Sequence, residues 1–320
     1  QWYLNNGRHD LPWRQKVTPY RIWISEIMLQ QTQVKTATPY FKNFIKKYPT
    51  QKKLSEATED QILALWSGLG FYRRARNIFK TKEIIKEKYN NRFPKKFHQL
   101  LELPGIGKST AGAIMSLAYQ NPHPILDGNV KRVITRLVNK NIDLLKESQL
   151  WDLSSQFVNK ENCFAYTQGI MDLGATVCTP TNPSCKDCPV QNQCMSAFNI
   201  INNKKRNVAQ LKKVIPMNLS LIQTEDSLLL VKNEASSIWK NLWIPFESRS
   251  LESYTNSFKL TSSQKIQHEL THRRLNIKLN TYISTNESEI KTNKKYKWIK
   301  KDRINEYGLP KPISKVINEL

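Results

Sequence analysis

The chain has 320 residues, room for two domains of ordinary size, and its 39% hydrophobic content marks it as globular rather than disordered. Lys and Arg number 50 against 26 Asp and Glu, and the net charge of +24 is spread over both halves. That excess points to a polyanion such as nucleic acid, with the coding bias of an AT-rich genome as the competing cause. No run approaches the ~20 apolar residues of a membrane span, and no secretory signal is recognisable, so a soluble, intracellular protein is expected. The opening Gln1-Trp2-Tyr3 is abrupt and reads as a trimmed start.

From Thr18 to about Phe198, apolar residues recur at three- and four-residue spacing, punctuated by Pro19, Pro39, Pro49, Pro94 and Pro104. This predicts helices throughout. Glu26 falls on a helix after Pro19, with Ile22 and Trp23 one turn before it and Leu29 one turn after. Burial on such an apolar face raises a carboxyl pKa toward that of a general acid. A lone Glu in a helix is nevertheless more often a solvated surface residue. A helical segment over Phe97–Leu103 then ends at Pro104-Gly105-Ile106-Gly107, and another runs from Lys108 through Ala118. The two glycines permit a tight turn with free amides at the new helix start, where a phosphate binds well. A plain αα-turn is the simpler alternative, since Gly-x-Gly occurs by chance. In Leu126-Asp127-Gly128-Asn129-Val130, Asp127 is placed to cap the helix that starts near Val130.

Cys178, Cys185, Cys188 and Cys194 crowd together among Thr-Pro and Asn-Pro turns. Four thiolates this close predict a loop wrapped around a metal centre, an iron–sulfur cluster or zinc. A four-cysteine zinc site usually has a short-spaced pair on each side, and here only Cys185 and Cys188 are so paired. Cys163 lies outside the pattern and reads as an ordinary buried residue. Asn199–Lys213 is polar and basic, a linker by composition. Beyond it, Val214–Gln223, Ser227–Val231 and Leu275–Ile283 are short, partly alternating runs that predict strands. Trp298–Ile304 and Ile313–Leu320 read as a strand end and a terminal helix. The organisation expected is a helical domain over 1–198, a linker over 199–213 and a smaller α+β domain over 214–320.

Taken together, the residues resemble the MutY-type adenine DNA glycosylases, relatives of endonuclease III. Leu11-Pro12-Trp13-Arg14, Ser25–Thr32, Trp66–Tyr72, Leu126–Arg132 and Met171–Ala175 carry the resemblance, which covers nearly the whole chain. It implies a mainly α fold, a six-helix barrel with a helix–hairpin–helix motif near 97–118 and a [4Fe–4S] cluster domain with its loop at 178–194. A Nudix-like α+β domain follows. It also implies the iron–sulfur assignment of the four cysteines. Glu26 takes the place of the acid that protonates adenine and handles the attacking water. Asp127 matches the carboxylate that stabilises the sugar cation, and Asn129 a residue that orients both. Gln31 and Tyr72 match wedges that fill the stack vacated by a flipped base. Gly105, Gly107 and Ser109 belong to the DNA-contacting hairpin.

Bifunctional endonuclease III-type enzymes carry a lysine where this chain has Ser109, and the adjacent Lys108 lies on another helical face. The resemblance therefore implies hydrolysis rather than Schiff-base strand cleavage. The alternatives are a bifunctional glycosylase/lyase and an inactive DNA-binding relative. Ser237–Trp243 and Gln267–His272 resemble the domain that reads oxidised guanine. Thr271 and His272 fit its reading element, while Leu270 replaces the usual aromatic. No Glu-rich Nudix hydrolase box occurs in Glu247–Leu260, so recognition without hydrolysis is implied. The expected partner is double-stranded DNA holding adenine opposite 8-oxoguanine or guanine, bound by a monomer in a bacterial cytoplasm, associated with the nucleoid. His9, His98 and His123 read as surface or loop residues without assigned roles.

Overall fold

Local capping chemistry starts several of the helices. A computed structural model describes residues 1–199, 212–234, 238–248, 258–284 and 295–320. Most of the expected linker and of Glu247–Leu260, together with Ser237, lies outside the described residues. The helices run in order α1 (Trp2–Asn6), α2 (Pro12–Gln15), α3 (Pro19–Leu29), α4 (Val34–Lys47), α5 (Gln51–Leu54), α6 (Glu59–Leu65), α7 (Arg73–Tyr89), α8 (Phe97–Leu101), α9 (Lys108–Ala118), α10 (Gly128–Leu137), α11 (Glu147–Phe157) and α12 (Cys163–Asp172). Thr18 caps α3 by accepting from the Arg21 amide at 3.2 Å, with Pro19 as its first residue. Thr58 and Gln61 form a reciprocal capping box on α6. Asn162 caps α12 through the Ala165 amide at 3.0 Å.

Two compact units result. The first comprises residues 1–56 and, among the described residues, 77–199. Its core sets α3 against α4 and α9, with Trp23, Ile24, Ile27, Met28, Phe41, Phe44 and Ile114 almost fully buried. Trp13 meets Phe41 edge-on at 5.4 Å and Trp23 tilts against Phe93 at 5.3 Å. Burying side chains of this size contributes about 1.5–3 kcal/mol each.

The second unit is built on a mixed sheet. Its strands are β1 (Lys213–Gln223), β2 (Ser227–Lys232), β3 (Trp243–Ile244), β4 (Phe246–Glu247), β5 (Lys259–Glu269), β6 (Arg273–Ile283) and β7 (Tyr296–Lys300), followed by α13 (Lys311–Ile317). The order is β3-β2-β1-β6-β5, with β4 also on β1 and β7 also on β2. β1 and β6 run parallel, and β5 pairs antiparallel with β6 through a bulge between Leu260 and Ser262. Ile222, Leu229, Phe246 and Phe258 form one core cluster. The strands expected over 214–223, 227–231 and 275–283 are present to within two residues. β5 was not foreseen. It is an edge strand whose inward positions Gln264, Ile266 and His268 are only half-buried, so its alternation is polar.

Residues 57–76 pack with this sheet rather than with the first unit. Lys232 pairs with Asp60 at 3.0 Å, and the Asn241 amide donates to Glu59 at 3.0 Å. The Ser67 hydroxyl donates to the Leu309 carbonyl at 2.8 Å, and Arg76 donates to the Lys240 carbonyl at 2.9 Å. A Cβ added at Gly308 would lie 2.5 Å from that of Leu63, so glycine allows a close approach of the two segments there.

Candidate active site and cysteine cavity

α3 delivers Glu26 from an almost wholly buried helix, flanked by Trp23, Ser25 and Ile27. The side chain is half-buried, and loss of water around the carboxyl is the main force that pushes its pKa up to about 7. The negative charge of Asp127 raises it further, while the Arg14 guanidinium pulls it down. A carboxylic acid in this state keeps a proton available near neutral pH.

Asp127 does both things its sequence position allowed. Its Oδ1 accepts from the Val130 amide at 2.7 Å and caps α10, and its charge acts on Glu26. Two residues on, Asn129 is held by Arg132, whose Nη2 donates to Asn129 Oδ1 at 2.8 Å and to the Gly174 carbonyl at 2.6 Å. The same guanidinium donates from Nε to the Cys178 carbonyl at 2.8 Å. Gly174 has no room for a Cβ, which would lie 2.6 Å from that of Asn129. Asn129 is thereby tied to the segment that enters the cysteine loop.

Sequence reasoning missed Arg14 and Asp172 as parts of this environment. Asp172 is fully buried and accepts from Arg14 Nη1 at 2.6 Å and Nη2 at 2.9 Å, and from the backbone amide and Nε of Arg8. Although burial opposes the charge, these bonds hold its carboxyl below the usual range. Both residues fall inside motifs that carry the resemblance, Leu11–Arg14 and Met171–Ala175, but the pairing of opposite charges across the chain is not visible there.

The hairpin turns as its glycines require. Gly105 adopts φ +83°, and a Cβ there would meet Asn77 at 2.8 Å. Gly107 is the N-cap of α9 with open space around it, so its backbone is approachable by a phosphate. The Ser109 hydroxyl accepts from the Leu126 amide at 3.0 Å. Gln31, just beyond α3, is exposed and held at φ +56°, a left-handed conformation uncommon for a residue with a side chain. Tyr72, Thr271 and His272 lie in the second unit. The Tyr72 hydroxyl accepts from the Gly68 amide at 3.3 Å and donates to the Leu309 carbonyl at 3.2 Å. Thr271 and His272 are exposed at the tip of the β5–β6 hairpin, which closes with the Leu270 amide donating to the Arg273 carbonyl at 2.8 Å.

The four cysteines line one cavity together with Arg136, Val177, Pro183 and Gln191. A π-helical turn over Leu173–Val177 leads into Cys178, and short 3₁₀ turns carry Cys185 and precede Cys194. Burial, and then the neighbouring Cys178, Cys194 and Cys185, push the Cys188 thiol up. Arg136 donates to Cys178 Sγ at 3.3 Å and to the carbonyls of Thr179 and Pro180. Among the described residues, no group of three or more His, Cys, Asp or Glu side chains forms a ready-made site for a single metal ion. Cys163 is buried in the helical core, apart from this loop, as its position suggested.

A hairpin at a helix start and an acid raised by burial and by the charge of a second carboxylate fit a helix–hairpin–helix DNA glycosylase. Residues 24–150 match the HhH-GPD superfamily base excision DNA repair protein, and residues 218–319 match the NUDIX domain. An adenine DNA glycosylase of Buchnera aphidicola subsp. Schizaphis graminum is 39% identical, over 99% of this chain and 95% of that protein. The human adenine DNA glycosylase is 38% identical over 60% of this chain and 37% of that protein. The chain belongs to the adenine DNA glycosylases. A thermostable thymine-DNA glycosylase has a similar structure, with TM-score 0.57 and 28% identity, covering 62% of this chain and 93% of that one. Endonuclease III in a non-covalent DNA complex shares the fold at TM-score 0.52 and 24% identity, over 60% of this chain and 89% of that one.

Proposed function

We propose that this adenine DNA glycosylase of base excision repair flips out and hydrolytically removes adenine mispaired with 8-oxoguanine or guanine. The observation that carries the reading is the raised proton affinity of Glu26 beside the charge of Asp127. Adenine leaves poorly as an anion, so protonated Glu26 donates to the base nitrogen N7 as the C1′–N9 bond breaks. The sugar is left with oxocarbenium character, which the Asp127 carboxylate stabilises. Glu26, now ionised, accepts a proton from the water that attacks C1′, and the acid is regenerated. Asn129 orients the pair.

Gln31 and Tyr72 act as wedges beside the lesion. The Gly105–Gly107 turn holds a backbone phosphate, and Ser109 belongs to the same hairpin. Thr271 and His272, at an exposed hairpin tip, read the partner base. The net charge of +24 suits a duplex footprint, and a monomer in the bacterial cytoplasm, associated with the nucleoid, fits one footprint on one lesion. Among the described residues, no helix is long and apolar enough to cross a membrane.

Cys178, Cys185, Cys188 and Cys194 are the residues that would hold a [4Fe–4S] cluster. Their thiols surround one cavity, where burial and then the three neighbouring cysteines raise the proton affinity of Cys188, an arrangement that cationic iron would relieve. When bound, the cluster fixes the loop by joining its four thiolates.

The test is a duplex containing one adenine opposite 8-oxoguanine. Free adenine and an alkali-labile abasic site are expected, without a borohydride-trapped adduct in step with release. Strand cleavage concurrent with base loss would instead favour the lyase reading. Binding without release would favour the inactive one.

A further inference from the structure

The segment that delivers Asp127 is gripped from two helices, and neither grip belongs to the catalytic pair. α9 comes so close that a Cβ on Gly112 would overlap the Pro124 carbonyl oxygen. Ser154 of α11, 1% exposed, donates its hydroxyl to the Ile125 carbonyl at 2.7 Å. Ser109 of α9 accepts from the Leu126 amide at 3.0 Å. The next residue is Asp127, whose own Oδ1 is turned onto the Val130 amide. Three consecutive residues are thus fixed, by Ser154, by Ser109 and by the cap of α10.

Ser109 sits in the first turn of α9 and is half-buried. A serine there ordinarily serves its own helix start. Instead, its oxygen is committed to an amide on another segment, immediately before the carboxylate that acts on Glu26.

We propose that Ser109 is a positioning residue for the reaction: with Ser154 it fixes Ile125–Leu126, and so sets the Asp127 carboxylate within electrostatic reach of Glu26. This rests on the roles of Glu26 and Asp127 given above. The charges acting on Glu26 are those of Asp127, at the start of α10, and Arg14, on α2. Loosening Asp127 weakens the first and leaves the second. Glu26 then gives up its proton at a lower pH, a change that general destabilisation does not produce.

The experiment measures single-turnover adenine release from an adenine:8-oxoguanine duplex against pH, with duplex affinity and Tm, for the full-length protein and for Ser109→Ala, Ser109→Thr and Ser154→Ala. Ser109→Ala is expected to release adenine about tenfold more slowly, the effect of one lost hydrogen bond. Its alkaline midpoint should move to lower pH, a shift that weaker duplex binding alone does not produce when the protein is saturating. Ser109→Thr, which keeps the hydroxyl, should recover most of the rate and the original midpoint. Ser154→Ala should act in the same direction and carries the test if Ser109→Ala does not fold. Wild-type rate and midpoint in Ser109→Ala would overturn the proposal. So would a slow variant with an unmoved midpoint that threonine does not rescue. An Asp127→Asn control separates the two levels: full activity there defeats the catalytic reading itself, whereas an inactive Asp127→Asn beside an unaffected Ser109→Ala defeats the positioning role alone.

Discussion

Asp127 caps one helix and acts on another: it accepts from the Val130 amide at 2.7 Å, and its charge adds to burial in raising the proton affinity of Glu26 on α3. Capping alone would be a stabilising detail worth about 1 kcal/mol. Acting on Glu26 makes the same carboxylate part of a pH-dependent site.

The first prediction follows from a Glu26 pKa pushed up to about 7. The acid form is present below that value, so adenine release should be flat on the acid side and fall as pH rises through about 7. Stability runs the same way for this group. The unfolded chain ionises Glu26 near pH 4.3 while the folded protein holds the proton, so its contribution declines as pH rises from there to about 7. Glu26→Gln should bind the mispair, release no adenine and unfold with a shallower pH dependence over that window. A retained rate in Glu26→Gln would remove it from the chemistry.

The buried pair of Asp172 and Arg14 gives the second. Removing one partner strands a charge in the interior, so Asp172→Asn should cost about 3–5 kcal/mol in denaturant unfolding. Arg14→Met carries a similar penalty. Because Arg14 draws the Glu26 pKa down, its alkaline limb should also move to higher pH. An unchanged midpoint would show that Arg14 acts on folding only.

For the cluster, purified protein should be yellow-brown and carry about four iron atoms per chain. Cys188→Ser should weaken duplex binding and loop stability before it slows the chemical step. Colourless, active protein with stoichiometric zinc is the result that overturns the assignment.

Cutting the chain after Lys213 should do more than remove the NUDIX-matched segment. The lost segment covers Leu63, which is fully buried and lies against Gly308. It also supplies the partners of Asp60, Glu59 and Ser67. Re-exposing Leu63 alone costs about 1.5–3 kcal/mol, so the truncated protein should melt earlier and lose activity on both adenine:guanine and adenine:8-oxoguanine duplexes. By contrast, His272→Ala, at the exposed hairpin tip, should leave Tm unchanged and narrow only the preference for the oxidised partner. Equal loss on both duplexes in His272→Ala would exclude a reading role.

Ser109→Lys introduces the amine that lyases use, and trapping by borohydride should increase. It also removes the acceptor of the Leu126 amide, so base release should slow. Trapping that is equally strong in the unmodified protein would implicate Lys131 or another native amine.

The sequence by itself determined the classes of element and the chemistry available. Helical periodicity, the prolines that punctuate it, the Asp127 cap, the glycine hairpin and the crowded cysteines are local patterns, and local backbone physics reads them within a few residues. It also made Glu26 a candidate acid, because its neighbours along α3 are apolar. Only the tertiary structure decided how distant residues combine. β5 stayed hidden because an edge strand buries too little to need an apolar alternation. The clamp of Asp172 on Arg8 and Arg14, and the bond from Ser109 to Leu126, join residues whose separation along the chain leaves no periodic trace. Residues 57–76 carry a helical pattern like that of their neighbours, yet pack with the C-terminal sheet, since the contacts of Leu63 with Gly308 and of Asp60 with Lys232 exist only once the chain has folded.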